Sequence, residues 1–218
     1  MSLINNILYF DYNSTTPVDP KVIDAMLPFL QDNFANPSSS HNYGLLIKEK
    51  VKEARQQIAD FLNAEPNELL FTSGATEAIN LAIKGVAESY NNKGKHIVTV
   101  STEHKAVLDT CHDLEKKGFE ITYLRVNEVG LIDLEEIKQA LRPDTILVSV
   151  MLVNNETGVI QPIEEIAKIA HENGSLMMTD ATQAVGKLPV NVELLDIDLL
   201  CFSGHKMYAP KGIGALYV

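Results

Sequence analysis

Apolar and polar positions change period repeatedly along this chain. "ELLF", "HIVTV" (96–100), "FEITYL" (119–124), "TILVSVMLV" (145–153), "SLMMTD", "IDLLCFS" and "GIGALYV" are short apolar runs rich in branched residues. Such runs predict strands. Between them, apolar residues recur three or four apart, the spacing of amphipathic helices. These stretches are "ATEAINLAIKGVAESY", His104 to Lys117, "LEEIKQAL" behind a capping Asp133, and "PIEEIAKIAHENG", opened by proline and stopped by glycine. Strand and helix in alternation predict a mostly parallel mixed sheet with helices on both faces. "TILVSVMLV" reads as a central strand, and the last strand as antiparallel.

The first sixty residues are less regular. "ILYFDY" (7–12) reads as a short strand. Asp19 and Pro20 open a helix that Pro28 should kink or end. "NPSSSHNYG" is a polar loop, followed by a helix from about Leu45 to Leu62 with Leu46, Val51, Ala54, Ile58 and Phe61 on its apolar face. No repeat, low-complexity tract or domain boundary interrupts the chain, so residues 1–218 read as one three-layer α/β domain.

Composition narrows the function classes. The 218 residues carry 29 acidic against 18 basic side chains, a net charge of −11, with no basic stripe for nucleic acid. No run is long and apolar enough to span a membrane, and no signal peptide is legible, so a cytoplasmic protein is expected. "NST" (13–15) and "NET" (155–157) are accordingly not read as glycosylation sites. The two cysteines, Cys111 and Cys201, form neither a zinc spacing nor a disulfide framework. No metal site is expected.

In such sheets, ligands sit beyond the carboxyl ends of the strands. Five of those ends carry polar groups: Thr72 to Thr76, Ser101 to His104, Asn154 and Asn155, Thr179 to Gln183, and Ser203 to Lys206. Gly74, Ala75 and Thr76 open a helix whose free N–H groups suit an anion, although Ser73 as an ordinary cap is the competing reading. Asp180 ends an apolar strand, where a carboxylate either caps a turn or holds a cationic ring nitrogen protonated. Lys206 follows another strand, directly after Ser203, Gly204 and His205. A lysine beside an acid and an anion site is a candidate Schiff-base former. His104 either starts a helix or stacks on a flat ring and moves a proton. Asn155 and Gln183 suit a ring hydroxyl or a substrate carboxylate. Phosphate, ring, ring nitrogen and aldehyde carbon each have a partner, and together they describe pyridoxal 5'-phosphate.

The stretches "YFDYNSTTPVDP", "FTSGATEAINLAIKG", "TEHKAVLDTC", "VNNETGVIQPI", "DATQAVGKLPV" and "FSGHKMYAPKGIGALYV" together resemble the class V aminotransferase-like cysteine desulfurases. The resemblance covers almost the whole chain. It implies the large domain of a pyridoxal-phosphate-dependent transferase. It also implies an internal aldimine on Lys206, Asp180 at the pyridine nitrogen, Gln183 at the phenolic oxygen and His104 over the ring. Thr76, Ser203 and His205 would take the phosphate, with Asn155 beside cofactor and substrate. The implied reaction converts L-cysteine to L-alanine and leaves a persulfide on an enzyme cysteine, in a homodimer that supplies a sulfur acceptor or iron–sulfur scaffold.

Where the family has its nucleophilic cysteine, substrate-binding arginine and small C-terminal domain, this chain has already ended. Residues 1–218 alone are therefore expected to be inactive. The apolar "GALYV" at the end reads as an uncovered strand. The rival readings are a selenocysteine lyase or aminotransferase of the same fold, and a shortened, non-enzymatic cofactor- or partner-binding protein.

Overall fold

A computed structural model describes residues 2–4 and 7–218. Strands β1 (Ser2–Ile4) and β2 (Ile7–Tyr9) form a small antiparallel pair. Helix α1 (Pro20–Gln31) starts where Asp19 accepts the Lys21 N–H at 2.8 Å. Pro28 does not end it. The proline lies close to the C-terminus, and the helix closes with Asp32 N–H on the Pro28 carbonyl.

Helix α2 (Asn42–Leu62) begins three residues before the expected start, because His41 Nδ1 accepts the Gly44 N–H. Gly44 is required there: a Cβ would lie 2.5 Å from the Ser39 carbonyl oxygen. The buried face of α2 is Gly44, Ile47, Ala59 and Leu62, with Ile58 packed partly against the same core. Leu46 and Phe61, expected inside, are 49% and 52% exposed. The helix carries two apolar stripes about one residue apart, and the sheet covers only one.

The remaining elements follow in order: β3 (Leu69–Thr72), α3 (Ala75–Ser89), β4 (His96–Val100), α4 (Lys105–Glu115), β5 (Glu120–Leu124), α5 (Leu134–Ala140), β6 (Thr145–Ser149), α6 (Ile163–Glu172), β7 (Leu176–Asp180), β8 (Leu199–Ser203) and β9 (Gly214–Tyr217). They build a seven-stranded sheet in the order β3-β9-β8-β7-β6-β4-β5. Only β9 runs against its neighbours, β3 and β8. As expected, β6 is an interior strand, paired with β7 and β4, but it stops at Ser149. The chain beyond β6 still tracks β7 through Val150 N–H to Met178 O and Leu152 N–H to Asp180 O.

Successive residues of each strand point to opposite faces, which divides the core in two. Val98, Val148, Met177 and Leu200 pack with α2, α5 and α6. Ile97, Leu147, Met178, Leu199 and Cys201 pack with α3 and α4. The last strand is not the uncovered liability that its sequence implied. It is paired on both edges, and Ala215 and Leu216 are buried.

Candidate functional site

The loops after β3, β4, β6, β7 and β8 open into one cavity of about 840 Å³. All ten residues singled out from the sequence line it: Gly74, Ala75, Thr76, His104, Asn155, Asp180, Gln183, Ser203, His205 and Lys206. Strand ends far apart in sequence meet here because parallel strands place their carboxyl ends on one edge of the sheet. Ser101, Thr102 and Asn154 do not line this cavity; they line an adjoining recess. Asn154 instead shapes the loop. Its Oδ1 accepts the N–H groups of Glu156 and Thr157, and its Nδ2 donates to the Thr102 carbonyl.

At one end of the cavity, α3 begins without a side-chain cap. Ser73 is not the cap its position allowed: Gly74 occupies the cap position, and the Ser73 N–H is taken by Glu77 Oε2. The first-turn N–H groups therefore remain free for an anion, which the helix dipole favours. Thr76, Ser203 and His205 add donors around the same end. Burial, then the charges of Lys206 and Lys211, hold the His205 imidazole below its ordinary value. Gly214 closes the back of this cradle. A Cβ there would lie 2.7 Å from the Gly74 backbone and from the Phe202 carbonyl oxygen.

Lys206 sits in a single 3₁₀ turn, Gly204–Lys206, directly after β8. Its ammonium donates to the Asn13 carbonyl at 2.6 Å. Burial, followed by the charge of Lys187, lowers its proton affinity, while Asp11 and Asp180 act against that. Asp180 is buried, and its Oδ1 accepts the Thr182 N–H at 2.9 Å. Burial raises its pKa, and hydrogen bonding from Thr182 with the charges of His104 and Lys206 opposes the rise. A cation entering the cavity beside Asp180 would favour the ionised form.

His104 starts α4, as one of its two readings had it, and it also lines the cavity. It caps the helix by accepting the Ala106 N–H on Nδ1 at 3.1 Å. With Nδ1 an acceptor, the neutral ring carries its proton on Nε2.

Three features of the site were not assigned from sequence. The first is the N-terminal segment. Asp11, Asn13, Ser14 and Thr15 line the cavity, and the Thr16 N–H donates to the His205 carbonyl. Asn13 is its hub: the side chain donates to the Asn155 carbonyl, and its own carbonyl accepts from Lys206 and Gln183. The polar run "NSTT" before a helix was the available signal. The second is Glu103, a buried carboxyl whose Oε1 accepts the Met151 N–H at 2.6 Å and whose Oε2 has no protein partner. Burial pushes its pKa well up. The third is Lys187, which donates to Gln183 Oε1 at 2.7 Å.

The two thiols lie elsewhere. Cys111 and Cys201 are fully buried in the core beneath α3 and α4. Burial pushes the Cys111 thiol up to about 12 and raises Cys201 as well. Among the described residues, no group of three or more His, Cys, Asp or Glu is placed to hold a metal ion, and no helix is long and apolar enough to cross a membrane.

Comparison with known proteins agrees with this geometry. The model of the family described as "Aminotransferase class-V" matches residues 8–218. The cysteine desulfurase IscS of Dechloromonas aromatica is 56% identical over 213 residues, covering 97% of this chain and 53% of that protein. The chain thus spans about half the length of the curated relatives it matches. Among solved structures, "SspA in complex with cysteine" superposes with a TM-score of 0.93 at 48% identity, covering 96% of this chain and 60% of that one. A "NifS-like protein" superposes with a TM-score of 0.94 at 41% identity, covering 97% and 58%. Class V aminotransferases and cysteine desulfurases are pyridoxal-phosphate-dependent enzymes. With its family model matched from the second strand to the last, and its polar strand ends gathered around one lysine, this chain belongs to the class V aminotransferase family.

Proposed function

We propose that the cavity binds pyridoxal 5'-phosphate at Lys206 and serves a cysteine desulfurase, which moves sulfur from L-cysteine to a thiol and releases L-alanine. The observation that carries the reading is the placing of Lys206, a buried Asp180 and an uncapped helix N-terminus around one cavity. That donor set fits an aldehyde, a ring nitrogen and a phosphate. The relatives named as cysteine desulfurases, and the neighbour solved with cysteine, support the substrate class.

When bound, the cofactor supplies an electron sink, and the protein supplies orientation and charge. The α3 N–H groups, Thr76, Ser203 and His205 hold the phosphate. Asp180 holds a proton on the ring nitrogen by direct charge interaction. Gln183 and Asn155 bind oxygen atoms of ring and substrate. Lys206, with its proton affinity lowered, presents a larger neutral fraction of its amine, and Nζ then takes the substrate Cα proton. His104, which lines the cavity with Nε2 as its exchangeable position, would bear on the bound ring. The residues from Asp11 to Thr16 cover Lys206 and limit water. Sulfur passes to a thiol other than Cys111 or Cys201, since burial keeps both protonated and out of reach.

As partners we propose a second copy of the chain and a sulfur-accepting or iron–sulfur scaffold protein. The exposed apolar residues of α1 and α2 support the first.

Added pyridoxal phosphate should give visible absorbance, and borohydride should trap it on a residue that mass spectrometry maps to Lys206. Lys206→Ala should abolish the trapped adduct while preserving the circular dichroism spectrum. Trapping on other lysines alone would reject the assignment. Incubating the full-length protein, loaded with the cofactor, with L-cysteine, selenocysteine or a keto acid distinguishes desulfurase from lyase and aminotransferase. Transamination without sulfur release would reject the desulfurase reading.

A further inference from the structure

Gln183 is held from two sides. Its Nε2 donates to the Asn13 carbonyl at 3.1 Å, the same oxygen that accepts Lys206 Nζ. Its Oε1 accepts from Lys187 Nζ at 2.7 Å. A carboxamide has two orientations of nearly the same shape, so its partners decide which one is used. Here they leave no choice. An ammonium only donates and a carbonyl only accepts, so the oxygen must face Lys187 and the NH₂ must face Asn13. Gln183 is buried and lines the cavity. Of its two N–H bonds, one goes to Asn13 and the other remains for a ligand.

We propose that Lys187 is a positioning residue: it locks the Gln183 amide in the donor orientation, so that the cavity wall beside Lys206 presents an N–H and accepts only ligands carrying an acceptor oxygen there. This deepens the pyridoxal phosphate reading and rests on it. The phenolic oxygen of that cofactor, next to the aldehyde carbon that Lys206 meets, is an acceptor of that kind. With the amide reversed, two oxygens would face each other.

Lys187 does not line the cavity, so a direct contact with the ligand is not its role. The ammonium is nonetheless partly desolvated and lies close enough to Lys206 for its charge to act there. Gly186, with φ of 79°, turns the chain immediately before Lys187.

The test compares the wild type with Lys187→Met and Lys187→Arg. Calorimetric titration measures the preference for pyridoxal phosphate over its 3-deoxy analogue, with inorganic phosphate as a control ligand for the cradle. The wild type should prefer the 3-hydroxy form. Lys187→Met should cut that preference by about tenfold, the scale of one hydrogen bond to an ionised group. Its phosphate affinity should not change. Lys187→Arg, also donor-only, should retain most of the preference. An unchanged preference in Lys187→Met overturns the proposal.

A second readout needs no cofactor. In the ligand-free protein, the Gln183 side-chain NH₂ should give two well-separated, exchange-protected proton resonances that collapse in Lys187→Met and persist in Lys187→Arg. If the wild type lacks a pinned amide, the proposal fails. If the amide is pinned but pyridoxal phosphate does not bind, the cofactor reading fails and the positioning role stands.

Discussion

Glu103, in the adjoining recess, and Gly214, behind the Gly74 turn, show how single residues act beside the cavity. Glu103 follows β4 by three residues, within the polar strand end Ser101 to His104, and the sequence assigns it no role of its own. Folding buries it against the Met151 amide with one oxygen unpaired. Its raised pKa has a sign. The folded form binds the proton more tightly than the unfolded chain, so the group's stabilisation is complete below the unfolded value near 4.3 and is lost as pH rises toward the folded value. Glu103→Gln keeps the acceptor and removes the charge. Its melting temperature relative to wild type should rise between pH 5 and pH 8. A difference independent of pH would contradict this. At Gly214 the expected effect is steric. Gly214→Ala should cost about 1–3 kcal/mol and weaken phosphate binding, because the added methyl must push β9 from the Gly74 turn. Denaturant unfolding and a phosphate titration would measure the two effects.

Elements were legible where one period dominated. Strands β4, β7 and β8 and helices α3 and α6 appear close to where the pattern placed them, since each buries a single continuous face or both faces. Helix α2 was misread at its face because its two apolar stripes are equivalent until a sheet covers one. Its start was misread because the capping group is a histidine, which the usual cap chemistry of Ser, Thr, Asp and Asn does not flag. The last turn of α6 contains a pH-dependent tie. His171 Nδ1 meets Asp196 Oδ2 at 2.9 Å, and Nε2 meets Asp198 Oδ2 at 2.7 Å. Burial would lower its pKa, but the two carboxylates outweigh burial and raise it. The stabilisation is thus complete below the ordinary value near 6.5 and lost as pH rises through the raised folded value. His171→Asn should lower stability at pH 5.5 by about 1 kcal/mol, and by less at pH 8.5. An equal loss at both values would show that packing, not charge, accounts for the effect.

On the scale of the whole molecule, reactive and inert groups are separated by the sheet's geometry. The amine, the carboxylate and the anion cradle meet at its carboxyl edge, while both thiols lie in the core on one face. Cys111 and Cys201 should therefore resist a disulfide reagent at pH 8 and react only as the protein unfolds. Rapid modification of either in the native state would contradict their burial. The exposed apolar residues, including Leu46 and Phe61 of α2 and Leu27 and Leu30 of α1, leave a surface that water covers poorly. Sedimentation should show concentration-dependent self-association, and Leu46→Glu with Phe61→Glu should shift it toward monomer. Association unchanged by those substitutions would place the contact elsewhere.

The sequence by itself determined the alternation of strands and helices, the mostly parallel sheet, and the ten strand-end residues that line the cavity. These follow from local periodicity and from the rule that parallel strands deliver their carboxyl ends to one edge. Only the tertiary structure decided that β9 is enclosed between β3 and β8, which stripe of α2 is buried, and that the segment around Asn13 folds over Lys206. It alone decided that Lys187 and Asn13 hold Gln183 between them. Pairing partners, burial and donor–acceptor contacts between residues distant in sequence depend on which surfaces meet. That is a property of the assembled sheet and not of any local stretch of chain.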